Sequence, residues 1–147
     1  MALLLIGIAK EHNELVGLLI QFCAGGTVNQ KRMAIYCLRD LHLNDGQSLH
    51  AMMQSLQDAD ATVRVAAVTS LGLREELSVS GREELLQVFL RDGDLRVRNA
   101  AAITLAKLGA PSPALIEALQ KAAAGENAQL KKAALAALAM LQNRLTC

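Results

Sequence analysis

The sequence is poor in aromatic residues: its 147 residues include two Phe, one Tyr and no Trp, or 2% in all. A hydrophobic core must therefore be built from Leu, Ala, Val and Ile, and 52% of the chain is hydrophobic. Proteins that bind single-stranded nucleic acids commonly stack the bases on aromatic side chains, and this sequence has very few of them. With only two Pro and few β-branched runs, the composition also argues against an all-β fold.

Neither sign of charge is in excess, since 15 Lys and Arg face 14 Asp and Glu. This balance excludes a disordered polyelectrolyte and a uniformly basic nucleic-acid-binding protein. No stretch reaches the ~18 uninterrupted apolar residues of a membrane-spanning helix. The apolar start, residues 1–9, lacks the basic region and the cleavage site of a signal peptide. We therefore expect a cytoplasmic protein that has no contact with membranes.

Cysteines are few and show no C-x-x-C spacing. Cys23 and Cys37 lie within apolar segments, which predicts buried free thiols. Cys147 is left over without a partner at a characteristic spacing.

The main feature that is present is an internal repeat. Residues 58–67 recur 34 positions later as residues 92–101, with Asp, Val, Arg and Ala in matching places. Weaker copies lie near residues 27–38 and 127–138. Four copies at a nearly constant period predict a repeat protein.

Each copy begins like a helix, because a residue of the N-cap type precedes apolar residues at steps of three and four. A second helix precedes each of these; one is marked by the capping box Ser80-x-x-Glu83 and another by Ser112-Pro113. The unit is thus a helical hairpin of an A helix and a B helix. We predict A helices near 12–23, 47–57, 82–91 and 113–124, and B helices near 28–41, 61–73, 95–108 and 128–142. The predicted N-caps of the B helices are Thr27, Asp60, Asp94 and Asn127.

The pattern D-x-D-x-x-V-R-x-A-A-x-x-x-L, found at 58–71 and 92–105, resembles HEAT repeats, and is most similar to the short HEAT-like type of phycobilisome lyases. The resemblance covers roughly residues 10–142. It implies an all-α fold, a right-handed α-solenoid of about four hairpins whose B helices line a concave wall. The units would span 10–42, 43–75, 76–109 and 110–147. Residues 1–9 would form a capping helix, or an orphan B helix left from a longer array.

The resemblance also implies a ladder of hydrogen bonds between repeats, in which one basic residue of each B helix reaches an acidic turn residue of a neighbouring unit. The neighbouring helix positions are expected to face the concave groove and to bind a partner. The ladder residues are Lys31, Asp60, Arg64, Asp94, Arg98 and Lys131. The groove residues are Asn29, Arg32, Tyr36, Val65, Arg96, Asn99, Ile103 and Lys132.

Charge is distributed unevenly between the two kinds of helix. The predicted B helices carry nine basic residues against Asp40 alone, whereas the rest of the chain is acidic. A basic groove would attract an acidic partner. We therefore expect a non-catalytic protein-binding scaffold whose partner is another protein with an acidic surface. Nucleic acid is disfavoured, because stacking side chains and a dense run of cations are missing.

Catalytic signatures are lacking: no P-loop, dinucleotide-binding, nucleophile-elbow or zinc-protease motif occurs, and the three His do not follow the repeat. We expect no catalytic residue, no metal and no cofactor. The alternative is an enzyme, or a subunit of one, of the bilin lyase or DNA glycosylase kind found among HEAT-like proteins. The last helix, near 128–142, is apolar on more than one face, so self-association through the terminal helices is a further expectation.

Overall fold

A computed structural model describes residues 2–41, 45–74 and 77–146, and these residues form helices and no strand. The fold class is therefore all-α, as predicted. Odd-numbered helices are the A helices and even-numbered helices are the B helices. They are α1 (Ala2–Gly25), α2 (Val28–Asp40), α3 (Gly46–Ser55), α4 (Ala61–Leu71), α5 (Val79–Arg91), α6 (Leu95–Leu108), α7 (Pro113–Ala124) and α8 (Ala128–Leu145).

The B helices begin where their capping residues predict. At α2 the Thr27 Oγ1 accepts from the Gln30 N–H at 3.3 Å, and the Gln30 Oε1 accepts from the Thr27 N–H at 3.0 Å, which completes a capping box. Asn127 caps α8 by accepting from the Leu130 N–H at 3.0 Å. Each bond satisfies an amide that has no partner within its own helix. The starts of α4, α6 and α7 are capped in the same way by Asp60, Asp94 and Ser112.

Two helices begin three or more residues before their predicted starts. The cap of α5 is Ser78 rather than Ser80, because the Ser78 Oγ accepts from the Gly81 N–H at 3.1 Å. Buried Leu77 lies in the space that a side chain at position 81 would fill, and this packing starts the helix earlier.

The first helix is longer than predicted and runs unbroken from Ala2 to Gly25. Residues 2–9 thus continue α1 and do not form a separate helix, because no Pro or cap residue interrupts the segment that joins them to the predicted helix. Among the side chains of α1 whose burial the structure describes, that of Val16 is the first buried one. The apolar residues Leu3, Leu4 and Ile8 are exposed.

The chain divides into two compact units, one ending at Ala67 and the other beginning at Val68, within α4. In the first unit α1 packs against α2 and α3. In the second, α6 packs against α5 and α8, and α7 packs against α8. Buried alanines such as Ala101, Ala134 and Ala137 let these helices approach closely. The limits of the four predicted repeats remain a prediction.

Candidate functional site

One predicted ladder residue, Lys31, joins two successive hairpins. Its Nζ donates to the Oδ2 of Asp58 at 2.6 Å, and the two side chains are only 20% and 11% exposed. Asp58 lies in the turn between α3 and α4, so the pair links the first hairpin to the second. The acceptor is two residues before Asp60, the acidic residue that we predicted. Asp58 is suited to this role because its other oxygen, Oδ1, is held by the Asp60 N–H at 2.9 Å.

Asp60 instead caps its own helix, α4. Its Oδ1 accepts from the Thr62 N–H at 2.8 Å and from the Thr62 hydroxyl at 2.5 Å. The hydroxyl bond, together with the amide bond, holds the pKa of Asp60 below its ordinary value. The nearby Arg64 donates from Nη1 to the Asp58 carbonyl oxygen at 2.9 Å, which braces the turn of its own hairpin.

In the third hairpin, formed by α5 and α6, Asp94 likewise caps its own helix. Its Oδ2 accepts from the Nη2 of Arg96 at 2.8 Å, and its Oδ1 accepts from the Arg96 N–H at 2.8 Å. The side-chain bond from Arg96 is the main reason why the pKa of Asp94 falls to about 2. Arg98 donates from Nε to the Phe89 carbonyl oxygen at 2.8 Å, and so ties α6 to α5. Lys131, the last predicted ladder residue, is exposed on α8.

Four predicted groove residues lie in the first unit. Asn29, Arg32 and Tyr36 share one face of α2, on the side away from buried Ile35 and Leu38, while Val65 is half-buried on α4. Sequence reasoning missed a member of the α2 face, Met33, which is 61% exposed. Its position, four residues after Asn29, was a sufficient signal. We call Asn29, Arg32, Met33 and Tyr36 the α2 surface.

Arg39, which lies beside the α2 surface, is already paired with an acidic residue. The guanidinium of Arg39 lies 4.9 Å from the centre of the Tyr36 ring, and its Nε donates to Asp40 Oδ1 at 2.7 Å. The Nε of Arg32 is buried without a hydrogen-bond partner. The positive charge of Arg32 contributes to the lowered pKa of Asp60.

The other four groove residues lie in the second unit. Arg96, Asn99 and Ile103 share one face of α6, and Lys132 is exposed on α8, which packs against α6. Lys107 continues the same face of α6 one turn beyond Ile103 and is exposed, although it was not among the predicted residues. The Oδ1 of Asn99 is buried and has no partner. We call Asn99, Ile103, Lys107 and Lys132 the α6–α8 surface.

The end of α6 is held by two arginines that sequence reasoning also missed. Arg82 of α5 donates from Nη1 to the Gly109 carbonyl oxygen at 3.2 Å, and Arg144 of α8 donates to the Lys107 carbonyl oxygen. Gly109 has φ of 69°, a conformation that favours glycine. Cations at a helix C-terminus satisfy carbonyl groups that lack intrahelical partners. These bonds position the Lys107 end of the α6–α8 surface.

The thiol of Cys23 is poorly suited to nucleophilic chemistry. Cys23 is buried, and loss of solvation raises its pKa to about 11, so that the nucleophilic thiolate is suppressed. Cys37 is half-buried and free, while Cys147 lies outside the described residues.

Within the described ranges no group of His, Cys, Asp and Glu is arranged to hold a metal ion. The helices of those same ranges include none that is both long and apolar enough to cross a membrane.

Both terminal helices leave apolar side chains in solvent. Leu135 on α8 is 50% exposed, and Leu3 on α1 is 86% exposed. Self-association through these helices stays a prediction.

A comparison with known families finds that HEAT repeats match residues 49–139, well over half of the chain. The chain belongs to the HEAT-repeat family. The match runs from α3 into α8, and the helical hairpins are those of an α-solenoid. HEAT repeats generally act as scaffolds for protein interactions and are typically not enzymes. Among curated proteins no significant relative is found.

Proposed function

We propose that this HEAT-repeat protein is a non-catalytic scaffold that binds an acidic protein partner through its B helices, in the cytoplasm. The proposal depends on the lysines of the α6–α8 surface, with which no acidic group among the described residues forms an ion pair. The α2 surface of the first unit would supply further contacts.

The charge distribution supports a basic binding face. With the helix limits of the structure, the four B helices contain ten Lys and Arg against the single acidic residue Asp40. The remainder of the chain contains five basic and thirteen acidic residues. Such a separation of charge steers an acidic molecule towards the B helices.

Several of these cations are already engaged within the chain. Lys31 is bound to Asp58, Arg39 to Asp40 and Arg96 to Asp94. Lys107 and Lys132, in contrast, are exposed, and in the described part of the chain no acidic group pairs with them. They are therefore available to carboxylates of a partner.

The surface beside these lysines offers more than charge. Ile103 is half-buried and can contribute apolar contact area. Apolar contact gives a specificity that cations alone do not provide.

The test compares two double variants with the same change of net charge. Lys107→Glu/Lys132→Glu alters the α6–α8 surface, whereas Lys10→Glu/Arg91→Glu alters exposed positions of A helices. A fluorescent dodecapeptide of Glu and Asp is titrated with each protein, and fluorescence anisotropy gives Kd. We expect the first variant to bind at least tenfold more weakly than the wild type, and the control to change less than about threefold.

Equal weakening in both variants would contradict the proposal, because binding would then follow net charge alone. A single-stranded oligonucleotide of equal charge serves as a second probe. Tighter binding of the oligonucleotide than of the peptide would favour nucleic acid over an acidic protein.

A further inference from the structure

A groove of about 730 Å³ lies between the A helices α1 and α3 of the first unit. Gly17, Ile20 and Ala24 line it from α1, and Ala51 lines it from α3. The volume falls in the range of pockets that hold ligands. The groove is distinct from the α2 surface, which is formed by a B helix.

The groove is rich in side-chain amides. Gln47, His50 and Gln54 follow one another along one face of α3, with Gln57 just beyond its end, and Gln21 faces them from α1. All five side chains are exposed. No hydrogen bond within the described residues engages any of these amides or the imidazole. Each glutamine therefore offers two N–H donors and one carbonyl acceptor to a ligand.

The described residues that line the groove include no Lys or Arg. Asp58 is the one acidic residue among the described residues that line it, and its carboxylate is bound to Lys31 at 2.6 Å. A charged ligand would lose solvation here without gaining an opposite charge. The small residues Gly17, Ala24 and Ala51 allow a polypeptide backbone to approach the floor of the groove.

We propose that the groove between α1 and α3 binds an uncharged segment of a partner protein in an extended conformation. An extended chain presents N–H and C=O groups along both edges, repeating every ~6.6–6.8 Å, and these groups need partners when they leave water. A helix bonds its own backbone groups and would have no use for the glutamines. The glutamines on opposite sides of the groove supply both donors and acceptors to such a segment. This site is independent of the acidic partner proposed for the B helices.

Gly17 provides a way to block the groove without disturbing the fold. A Cβ built at Gly17 meets no atom within 4 Å, so Gly17→Leu places its side chain in the groove rather than in the core. Gly7 on the same helix is equally open, and Gly7→Leu is the matched control. Gln54→Leu removes one amide, and Gln87→Leu on the exposed side of α5 is its control.

The probes are dodecapeptides selected from a random phage-displayed library on the wild-type protein, and Kd is measured by fluorescence anisotropy. We expect uncharged peptides that bind Gly17→Leu and Gln54→Leu at least tenfold more weakly, with both controls unchanged. Methylation of backbone nitrogens along one edge of the peptide should weaken binding to a similar degree. Thermal unfolding followed by circular dichroism confirms that each variant is folded.

Three results would overturn the proposal: no uncharged peptide is selected, Gly17→Leu binds as well as Gly7→Leu, or backbone methylation has no effect. Acidic peptides that depend on Lys107 and Lys132 would support the proposed function of the B helices and still overturn the assignment of this groove.

Discussion

The bond between Lys31 and Asp58 should stabilise the junction of the first two hairpins by more than an ordinary surface ion pair does. We examine it through Lys31→Met, Asp58→Asn and the double variant. Methionine keeps most of the aliphatic volume of lysine. Asparagine keeps an Oδ1 that can still accept from the Asp60 N–H, a bond of 2.9 Å in the structure. The substitutions thus remove the charge interaction and leave the turn in place.

The burial of the pair determines the expected magnitude. Exposed pairs contribute about 0.2–1 kcal/mol, and breaking a fully buried pair by removing one partner costs about 3–5 kcal/mol. The side chains of Lys31 and Asp58 are 20% and 11% exposed, between these limits. We expect each single variant to lose about 1–2 kcal/mol in free energy of unfolding. The double-mutant cycle should give a coupling energy of about 1 kcal/mol.

Urea-induced unfolding followed by far-UV circular dichroism measures these energies, at low and at high salt. The pair of Glu117 and Lys121 on α7 is the matched control, since its side chains are 67% and 77% exposed and its N–O distance is 2.9 Å. Its coupling energy should stay below about 0.5 kcal/mol and fall further in high salt. The reasoning is refuted if the two pairs show the same coupling energy, or if salt abolishes that of Lys31 and Asp58.

Three further predictions concern acid, backbone space and the core. Because Arg96 lowers the folded-state pKa of Asp94 to about 2, against ~3.9 for an unfolded Asp, this carboxylate stabilises the fold above about pH 4 and ceases to do so as the pH falls through 2. Asp94→Asn should therefore have a lower Tm than the wild type at neutral pH, with a gap that closes in acid; a gap independent of pH would contradict this. At Gly26 a Cβ would lie 2.7 Å from the Phe22 carbonyl oxygen, so Gly26→Ala should lose about 1–3 kcal/mol in urea unfolding, and an unchanged midpoint would show that the turn yields. Phe89 is 1% exposed, so Phe89→Ala should lose about 3–5 kcal/mol, and a loss below about 1 kcal/mol would mean that the core around it collapses to fill the space.

Helix positions could be predicted well because their signals are local. Thr27, Asp94 and Asn127 cap helices in the structure as their residue types indicate, since a cap bonds an amide only two or three residues away. Ser78 and Ser80 are both suitable residues for the N-cap of α5. The packing of the neighbouring Leu77 selects Ser78, and the local sequence does not show this packing.

The candidate surfaces could be predicted in part. Helical periodicity correctly placed Asn29 and Tyr36 on one face of α2, and it placed Asn99 and Ile103 on one face of α6. Which cations stay available could not be read from the periodicity, because neutralisation of Arg96 depends on the rotamer that brings it to Asp94. Whether these surfaces bind a partner remains a proposal.

The sequence by itself determined the all-α class, the hairpin repeat and the starts of the B helices, since caps and apolar periodicity act within a turn or two of helix. The near absence of aromatic residues likewise determined a core made mainly of aliphatic side chains. Only the tertiary structure decided that Lys31 meets Asp58, and that Arg82 and Arg144 hold the end of α6. These partners lie 27 or 37 residues apart, and no local pattern specifies them. They meet because the packing of whole helices brings them within hydrogen-bond distance.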